Sequence, residues 1–176
     1  MLETTSIGSS RVVHLARLSL PALLLCPGLT ACTDAPRDQP AFDRIAPARL
    51  ADTQKLWNYS QVIATQPGAR TIYVAGTVGD DQHGNIVHPT DFAAQVDQSF
   101  ANIGSSLAAA GANGSDVVQL RLYVKDFDAD AHWPIINKAM KARFGERGPT
   151  ATMIGVEALA YPDILFEADA VAVVKP

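Results

Sequence analysis

One apolar stripe along residues 92–107 constrains the fold of this chain more than any other feature. Its members recur every three or four residues, which is the spacing of one face of an α-helix. They are Phe92, Val96, Phe100, Ile103 and Leu107. Thr90 or Asp91 is a suitable N-cap, and Gly111 stands where a helix that ends in a left-handed residue needs glycine. The pattern predicts a helix with one buried face, which needs a second layer to pack against.

A strand and a second helix follow that segment. Apolar and polar residues alternate over 118–124, as they do in a half-buried strand. The second helix is predicted from about Asp130, with Pro134 in its first turn. Its buried stripe is predicted to be Trp133, Ile136, Met140 and Phe144.

The remaining strands complete the second layer. They are predicted at residues 56–63, 71–76, 150–156 and 165–174, and the first two would form a hairpin. The order of elements favours an α+β two-layer sandwich, with a mixed sheet and both helices on one face. Two of these strands are apolar on both faces, so we expect the other sheet face to be covered by further copies of the chain in a closed ring.

The N-terminal 31 residues have the composition of an export signal. A basic flank precedes an apolar run at residues 18–25, which is shorter than the ~20 residues of a spanning helix. Small residues directly before Cys32 resemble a bacterial lipoprotein signal, in which Cys32 would carry the lipid; an ordinary secretory signal or a wrongly assigned start codon are the alternatives. We therefore expect an exported, periplasmic, membrane-anchored lipoprotein with a signal at 1–31, a tether at 32–52 and a folded domain at 53–176.

Charge and residue content exclude several classes of function. Fourteen Lys and Arg against 18 Asp and Glu give a net charge of −4, so a basic surface for nucleic acid is not expected. The two cysteines, Cys26 and Cys32, lie outside the predicted domain, which removes a disulfide framework or a Cys-ligated zinc site. His83 and His88 near two aspartates are explained by a solvated turn, so no metal site is expected.

The last predicted strand carries two carboxylates, Glu167 and Asp169, on one face of an otherwise apolar segment. A buried carboxylate costs several kcal/mol unless it is paired, hydrogen-bonded or placed in a wet cleft. Glu167 is therefore either an ion-pair partner in the core or a site residue. In a site, a carboxylate among apolar neighbours could take a proton from water, as a hydrolytic general base does.

Eight short motifs occur in an order that resembles the RidA/YjgF family of reactive-intermediate deaminases. They are residues 59–61 (YSQ), 73–76 (YVAG), 100–103 (FANI), Gly111, 116–118 (DVV), 123–126 (YVKD), 148–152 (GPTAT) and 166–172 (FEADAVA). The resemblance implies a chorismate-mutase-like fold, a homotrimer, and three clefts between neighbouring subunits. It also implies cofactor-free hydrolysis of 2-aminoacrylate and related enamines or imines to 2-keto acids and ammonia.

The same resemblance assigns the residues of the cleft. It places Tyr59, Gly76, Asn102 and Glu167 there, and it places Ala151 where the family has an arginine. That arginine clamps the substrate carboxylate with two hydrogen bonds, which alanine cannot do. Arg147 from the preceding loop or Arg121 from a neighbouring strand could replace it, although each is also explained as a solvated or structural charge.

The leading hypothesis is an exported RidA-like trimer that binds a small molecule and hydrolyses an imine or enamine of altered specificity. Glu167 would position water, while Tyr59 and the Met153 backbone would orient the substrate. The first alternative is a non-catalytic trimer that binds a small ligand or a client protein. A ribonuclease acting on single strands is the third, and the acidic balance disfavours it. The expected partners are further copies of the chain and a small molecule, with membrane contact only through the anchor.

Overall fold

The computed structural model describes residues 40–176, so the predictions for the export signal and Cys32 lie outside the described residues. None of the described helices is long and apolar enough to cross a membrane. The strands are β1 (Phe42–Ile45), β2 (Val62–Thr65), β3 (Arg70–Val78), β4 (Val117–Lys125), β5 (Thr150–Val156) and β6 (Phe166–Val174). The helices are α1 (Thr53–Trp57), α2 (Phe92–Ala109) and α3 (Ala129–Phe144), with a 3-10 turn at Gly114–Asp116.

The main sheet has the strand order β3-β6-β4-β5. β4 and β5 run parallel, whereas β6 is antiparallel to both of its neighbours. Apolar side chains of α2 and α3 and of the facing side of this sheet belong to one core cluster. The expected α+β architecture, a mixed sheet with both long helices on one face, is therefore confirmed.

The helix α2 forms as its apolar stripe predicts. Asp91 is the N-cap, since its carboxylate accepts the Ala94 N–H at 3.0 Å. Four members of the stripe are buried, and the fifth, Phe92, is half-buried against the core. Gly111 adopts φ +73°, the left-handed conformation that the position required.

The helix α3 begins one residue earlier than predicted, and its proline lies further from the N-terminus than predicted. Asp128 caps its N-terminus, so Pro134 lies in the second turn and not in the first. Proline lacks the N–H that would bond to the Asp130 carbonyl four residues back. Ile136, Met140 and Phe144 are buried as predicted.

The prediction for the first strands was wrong in two respects. Residues 53–57 are helical because Asp52 caps their N-terminus and Asn58, at φ 55°, ends the helix in the left-handed conformation. β2 then pairs with β1, not with β3, and β1 lies inside the segment interpreted as a tether. Phe42 of β1 is buried in a second cluster with Val118 and Val173, and this packing holds the short strand against the main sheet.

Candidate functional site

A bulge in β3 lies next to Glu167. Val74 pairs with Ala170 and Thr77 with Ala168, so two residues of β3, Ala75 and Gly76, stand opposite a single residue of β6. Such a bulge bends the strand and changes the direction of nearby side chains. It brings the Gly76 backbone against the Glu167 carboxylate.

Gly76 and Glu167 form the closest pair among the predicted site residues. A Cβ atom added at Gly76 would overlap Oε1 of Glu167. Glu167 is half-buried, and within residues 40–176 its carboxylate makes no hydrogen bond or ion pair. Its cross-strand neighbour on β4 is Tyr123. The carboxylate is thus held beside a bare stretch of backbone with its oxygens unoccupied.

Asp169, the other carboxylate on this face, is paired. It is 8% exposed, Arg121 donates its Nε–H to Oδ1 at 3.0 Å, and Tyr123 donates its hydroxyl to Oδ2 at 3.4 Å. The hydrogen bond to Asp169, followed by its charge, raises the pKa of Arg121. Asp169 is therefore the ion-pair partner in this strand, and the Arg121 guanidinium is already engaged by it.

Tyr59 lies at the other end of the sheet. The Ser60 N–H donates to the Pro149 carbonyl at 2.9 Å, and the Ser60 hydroxyl donates to the Gly148 carbonyl at 2.8 Å, which fixes Tyr59 beside the start of β5. β5 starts opposite Gln119, whereas Glu167 stands opposite Tyr123. Four residues of strand span roughly 13 Å. A single chain therefore does not bring Tyr59 and Glu167 together.

Asn102 is engaged in a structural network. Its Nδ2 donates to the Val78 carbonyl at 3.0 Å and to both the carbonyl and Oδ1 of Asp80 at 2.9 Å, while its Oδ1 accepts from Gln98 at 2.9 Å. These bonds tie α2 to the end of β3 and so support the strand that carries Gly76. The role of Asn102 in substrate binding stays a prediction.

Ala151 and Met153 lie on the sheet face opposite to Glu167. They pair with Leu120 and Leu122, both fully buried, and pack against the core under the helices. Strand alternation gives them this direction, whereas Glu167 pairs with Tyr123 on the other face. Within one chain these two side chains and Glu167 are therefore not brought together. The part of Met153 predicted to orient a substrate is its backbone, which lies on β5, an edge strand of the main sheet.

A groove of about 430 Å³ beside Tyr59 contains two arginines. Arg44 and Arg147 line it together with Tyr59, Ser60 and Gln61. Burial, and secondarily the positive charge of Arg147, lower the pKa of Arg44. The sequence prediction missed Arg44 because the segment that carries it was interpreted as a tether; only the burial of its neighbour Phe42 reveals the strand.

The turn that contains His83 is organised by Asp81. One carboxylate oxygen, Oδ1, accepts the N–H groups of His83 and Asn85 at 2.8 and 3.0 Å, and hydrogen bonds led by the Asn85 side chain lower the pKa of Asp81. Across residues 40–176, no group of three or more His, Cys, Asp or Glu side chains is placed to hold a metal ion.

Comparisons with known proteins agree on one group. The family model described as Endoribonuclease L-PSP matches residues 51–174. A 2-iminobutanoate/2-iminopropanoate deaminase of Dermatophagoides farinae is 30% identical over 65% of this chain and 88% of its own length. The 3-aminoacrylate deaminase RutC of Acinetobacter baylyi is 32% identical over 57% of this chain and 77% of its own. The structure of YyfB from Yersinia pestis, a Rid-family protein of unknown function, aligns with TM-score 0.70 and 30% identity over 76% of this chain and 99% of its own.

Proposed function

Because this chain belongs to the RidA/YjgF family, to which the endoribonuclease L-PSP model corresponds, we propose that it hydrolyses a small imine or enamine to a carbonyl compound and ammonia. Two relatives are named as imine or aminoacrylate deaminases. The observation that carries the proposal is Glu167, a half-buried carboxylate beside Gly76 with no partner in residues 40–176. A partly desolvated carboxylate with open oxygens is suited to accept a proton from water.

The reaction needs one water molecule and no cofactor. Glu167 accepts a proton from water while the oxygen adds to the imine carbon, and the C=N bond becomes a single bond. Glu167 returns this proton to the nitrogen, which gives the carbinolamine. It then takes the hydroxyl proton and passes it to the nitrogen, so that the C–N bond breaks, ammonia leaves and a C=O bond forms. An enamine first gains a proton at carbon and loses one from nitrogen, which converts it to the imine. Glu167 ends the cycle in its starting protonation state.

We place the complete site between chains of a homotrimer. Tyr59 and Glu167 lie at opposite ends of the sheet in one chain. In a closed ring, the Tyr59 end of each chain would meet the Glu167 end of the next chain, which would bring the two residues together. The open sheet face also leaves Tyr73 78% exposed, which suits burial against a neighbouring copy.

Mixing two inactive variants tests this arrangement. In mixed trimers of Tyr59→Phe and Glu167→Gln chains, some clefts receive both native residues, so part of the activity should return after subunit exchange. Unmixed variants provide the control. A chain that is monomeric by light scattering, or mixtures as inactive as their components, would contradict a site between chains.

The proposed location is the periplasm, with a lipid on Cys32 as the anchor. Labelled palmitate should be incorporated into the wild-type chain and not into Cys32→Ala. Equal label in both chains, or none in the wild type, would exclude this anchor.

Ala151 favours a second candidate function, which is ligand binding without turnover. The family arginine at this position holds the substrate carboxylate, and a hydrogen bond to a charged group contributes about 1.5 to 3 kcal/mol. Unless other residues replace it, its loss either redirects hydrolysis to substrates without a carboxylate or leaves a binding protein.

Ammonia release by the full chain separates the two functions. The substrates are 2-aminoacrylate generated in situ and an imine without a carboxylate, and the variants are Glu167→Gln and Ala151→Arg. Glu157→Gln is the matched control, because Glu157 is exposed at the end of β5. Turnover that survives in the control and disappears in Glu167→Gln supports hydrolysis. If the wild type releases no ammonia and only Ala151→Arg acts on 2-aminoacrylate, binding without turnover is the function.

A further inference from the structure

The groove beside Tyr59 is lined by two positively charged side chains and one carboxylate, that of Asp52. Arg44 from β1 and Arg147 from the loop before β5 both line it. Within residues 40–176, neither arginine forms an ion pair with a carboxylate. Two like charges in one groove repel each other, and an anion placed between them would remove that repulsion.

The Arg44 side chain is held in place by packing. Its guanidinium carbon stands 4.9 Å from the centre of the Phe42 ring, a cation–π contact with a residue that is itself buried. The Nε atom of Arg44 is inaccessible to solvent and has no hydrogen-bond partner in the described residues. A buried donor without a partner is rare in native proteins. Because this Nε is closed to solvent, a ligand in the groove can reach only the terminal amino groups of the Arg44 guanidinium.

The aspartates near the groove form no ion pair with either arginine within residues 40–176. Asp52 accepts the Lys55 N–H at 3.1 Å and caps α1. Asp43, on β1, accepts from the Gln66 amide at 2.6 Å. Asp116 lines a neighbouring groove with both arginines and accepts the Asn113 N–H at 2.9 Å. These carboxylates keep their charge but form no ion pair with Arg44 or Arg147, so the guanidinium groups retain donors for an external anion.

We infer that Arg44 and Arg147 bind the carboxylate of a small organic acid in this groove, beside Tyr59. Guanidinium groups hold a planar carboxylate through paired hydrogen bonds. Ala151, which stands where the family has an arginine, cannot form such bonds. The inference rests on the proposed function in one respect, because it assigns a carboxylate to the substrate of that same site. Of the two arginines that could replace the missing one, it selects Arg147, since Arg121 is engaged by Asp169.

Binding of 2-oxobutanoate, the keto acid that hydrolysis of 2-iminobutanoate releases, tests the inference by calorimetry on the full chain. Butanone, which lacks the carboxylate, and inorganic phosphate serve as comparison probes. The variants are Arg44→Gln, Arg147→Gln and the double variant, with Arg49→Gln as an exposed control from the same segment. Arg44→Lys retains the charge and the packing stem, and circular dichroism verifies that each variant is folded.

We expect at least tenfold weaker binding of 2-oxobutanoate in each single glutamine variant and none measurable in the double variant. Arg49→Gln should bind like the wild type, and Arg44→Lys should bind between the wild type and Arg44→Gln. Butanone should not bind. Unchanged binding in the double variant would overturn the inference, as would a wild type that binds no keto acid or that prefers phosphate to it.

Glu167→Gln separates this site from catalysis. The variant should lose ammonia release and retain 2-oxobutanoate binding, because Glu167 acts on water and not on the carboxylate. If no imine is hydrolysed by any chain but binding still depends on the arginines, the proposed hydrolysis fails and the carboxylate site stands.

Discussion

Replacing Gln95 with leucine should destabilise the chain through the loss of three hydrogen bonds. Gln95 lies on α2 and is fully buried. Its Nε2 donates to the Asp163 carbonyl at 2.7 Å and to the His88 carbonyl at 3.2 Å, and its Oε1 accepts the Leu165 N–H at 2.8 Å. This one side chain therefore ties the helix layer to the segment that leads into β6.

The size of the effect follows from what leucine leaves behind. The Leu165 N–H would lose its acceptor beneath the helix, which costs about 1–3 kcal/mol, and each of the two carbonyl bonds contributes about 0.5–1.5 kcal/mol. Leucine is more favourable to bury than glutamine, and this offsets about 1 kcal/mol. A net loss of about 3 kcal/mol is expected. For a domain of this size it lowers the melting midpoint by roughly 10 °C.

Thermal unfolding followed by circular dichroism measures the shift, with Gln82→Leu as the control. Gln82 is exposed in a loop, so the same exchange there should move the midpoint by less than about 2 °C. Leu165 lies two residues before Glu167, so Gln95→Leu should also reduce ammonia release at temperatures where the chain is folded. Equal midpoints for the two variants would refute the assignment of Gln95 as a buried hydrogen-bond anchor.

Three further substitutions test the site and its supports. Gly76→Ala should lower the turnover number at least ~100-fold, because the new methyl group displaces the Glu167 carboxylate. Gly104→Ala is the control and should leave turnover intact, because a methyl group added there has open space around it. Asp81 has a lowered pKa in the folded chain, so its stabilisation is present above the pKa of the unfolded chain and is lost as the pH falls through the folded value. Melting midpoints of the wild type and Asp81→Asn should therefore differ at neutral pH and converge in acid. Ser60→Ala removes a buried bond to a backbone carbonyl and should cost about 1–2 kcal/mol in urea unfolding; an unchanged urea midpoint would contradict this.

The helices and the sheet core could be predicted from the sequence because their signals are local. The stripe of α2 repeats over four turns and is bounded by Asp91 and Gly111, so both its face and its ends can be located. The alternation in β4 likewise predicts which side chains are buried. Such patterns depend on residues a few positions apart, and the structure confirms them.

The N-terminal elements could not be predicted because their determinants are distant or brief. α1 has only five residues, and its caps, Asp52 and Asn58, outweigh the strand preference of the aromatic residues around it. β1 is four residues long and depends on burial of Phe42 against residues more than 70 positions away. The bulge that brings Gly76 to Glu167 cannot be predicted from the sequence, because the apolar pattern of β3 does not change at the bulge. The candidate site was thus recognised through family motifs, whereas its arginine groove required the fold.

In the proposed assembly, the residues that bind the substrate and the base that activates water lie at different ends of each chain. Asp169 is buried, so Arg121 is needed to offset its desolvation, and a second carboxylate on that guanidinium would be repelled by the first. The arginines proposed to hold the substrate lie at the Tyr59 end of the chain, whereas the proposed base, Glu167, lies at the other end. A separated chain would retain the groove that binds the acid but would lack a base beside it. In the proposed ring, hydrolysis would depend on the assembly, whereas recognition of the carboxylate would not, because each chain would contribute its two halves to different clefts.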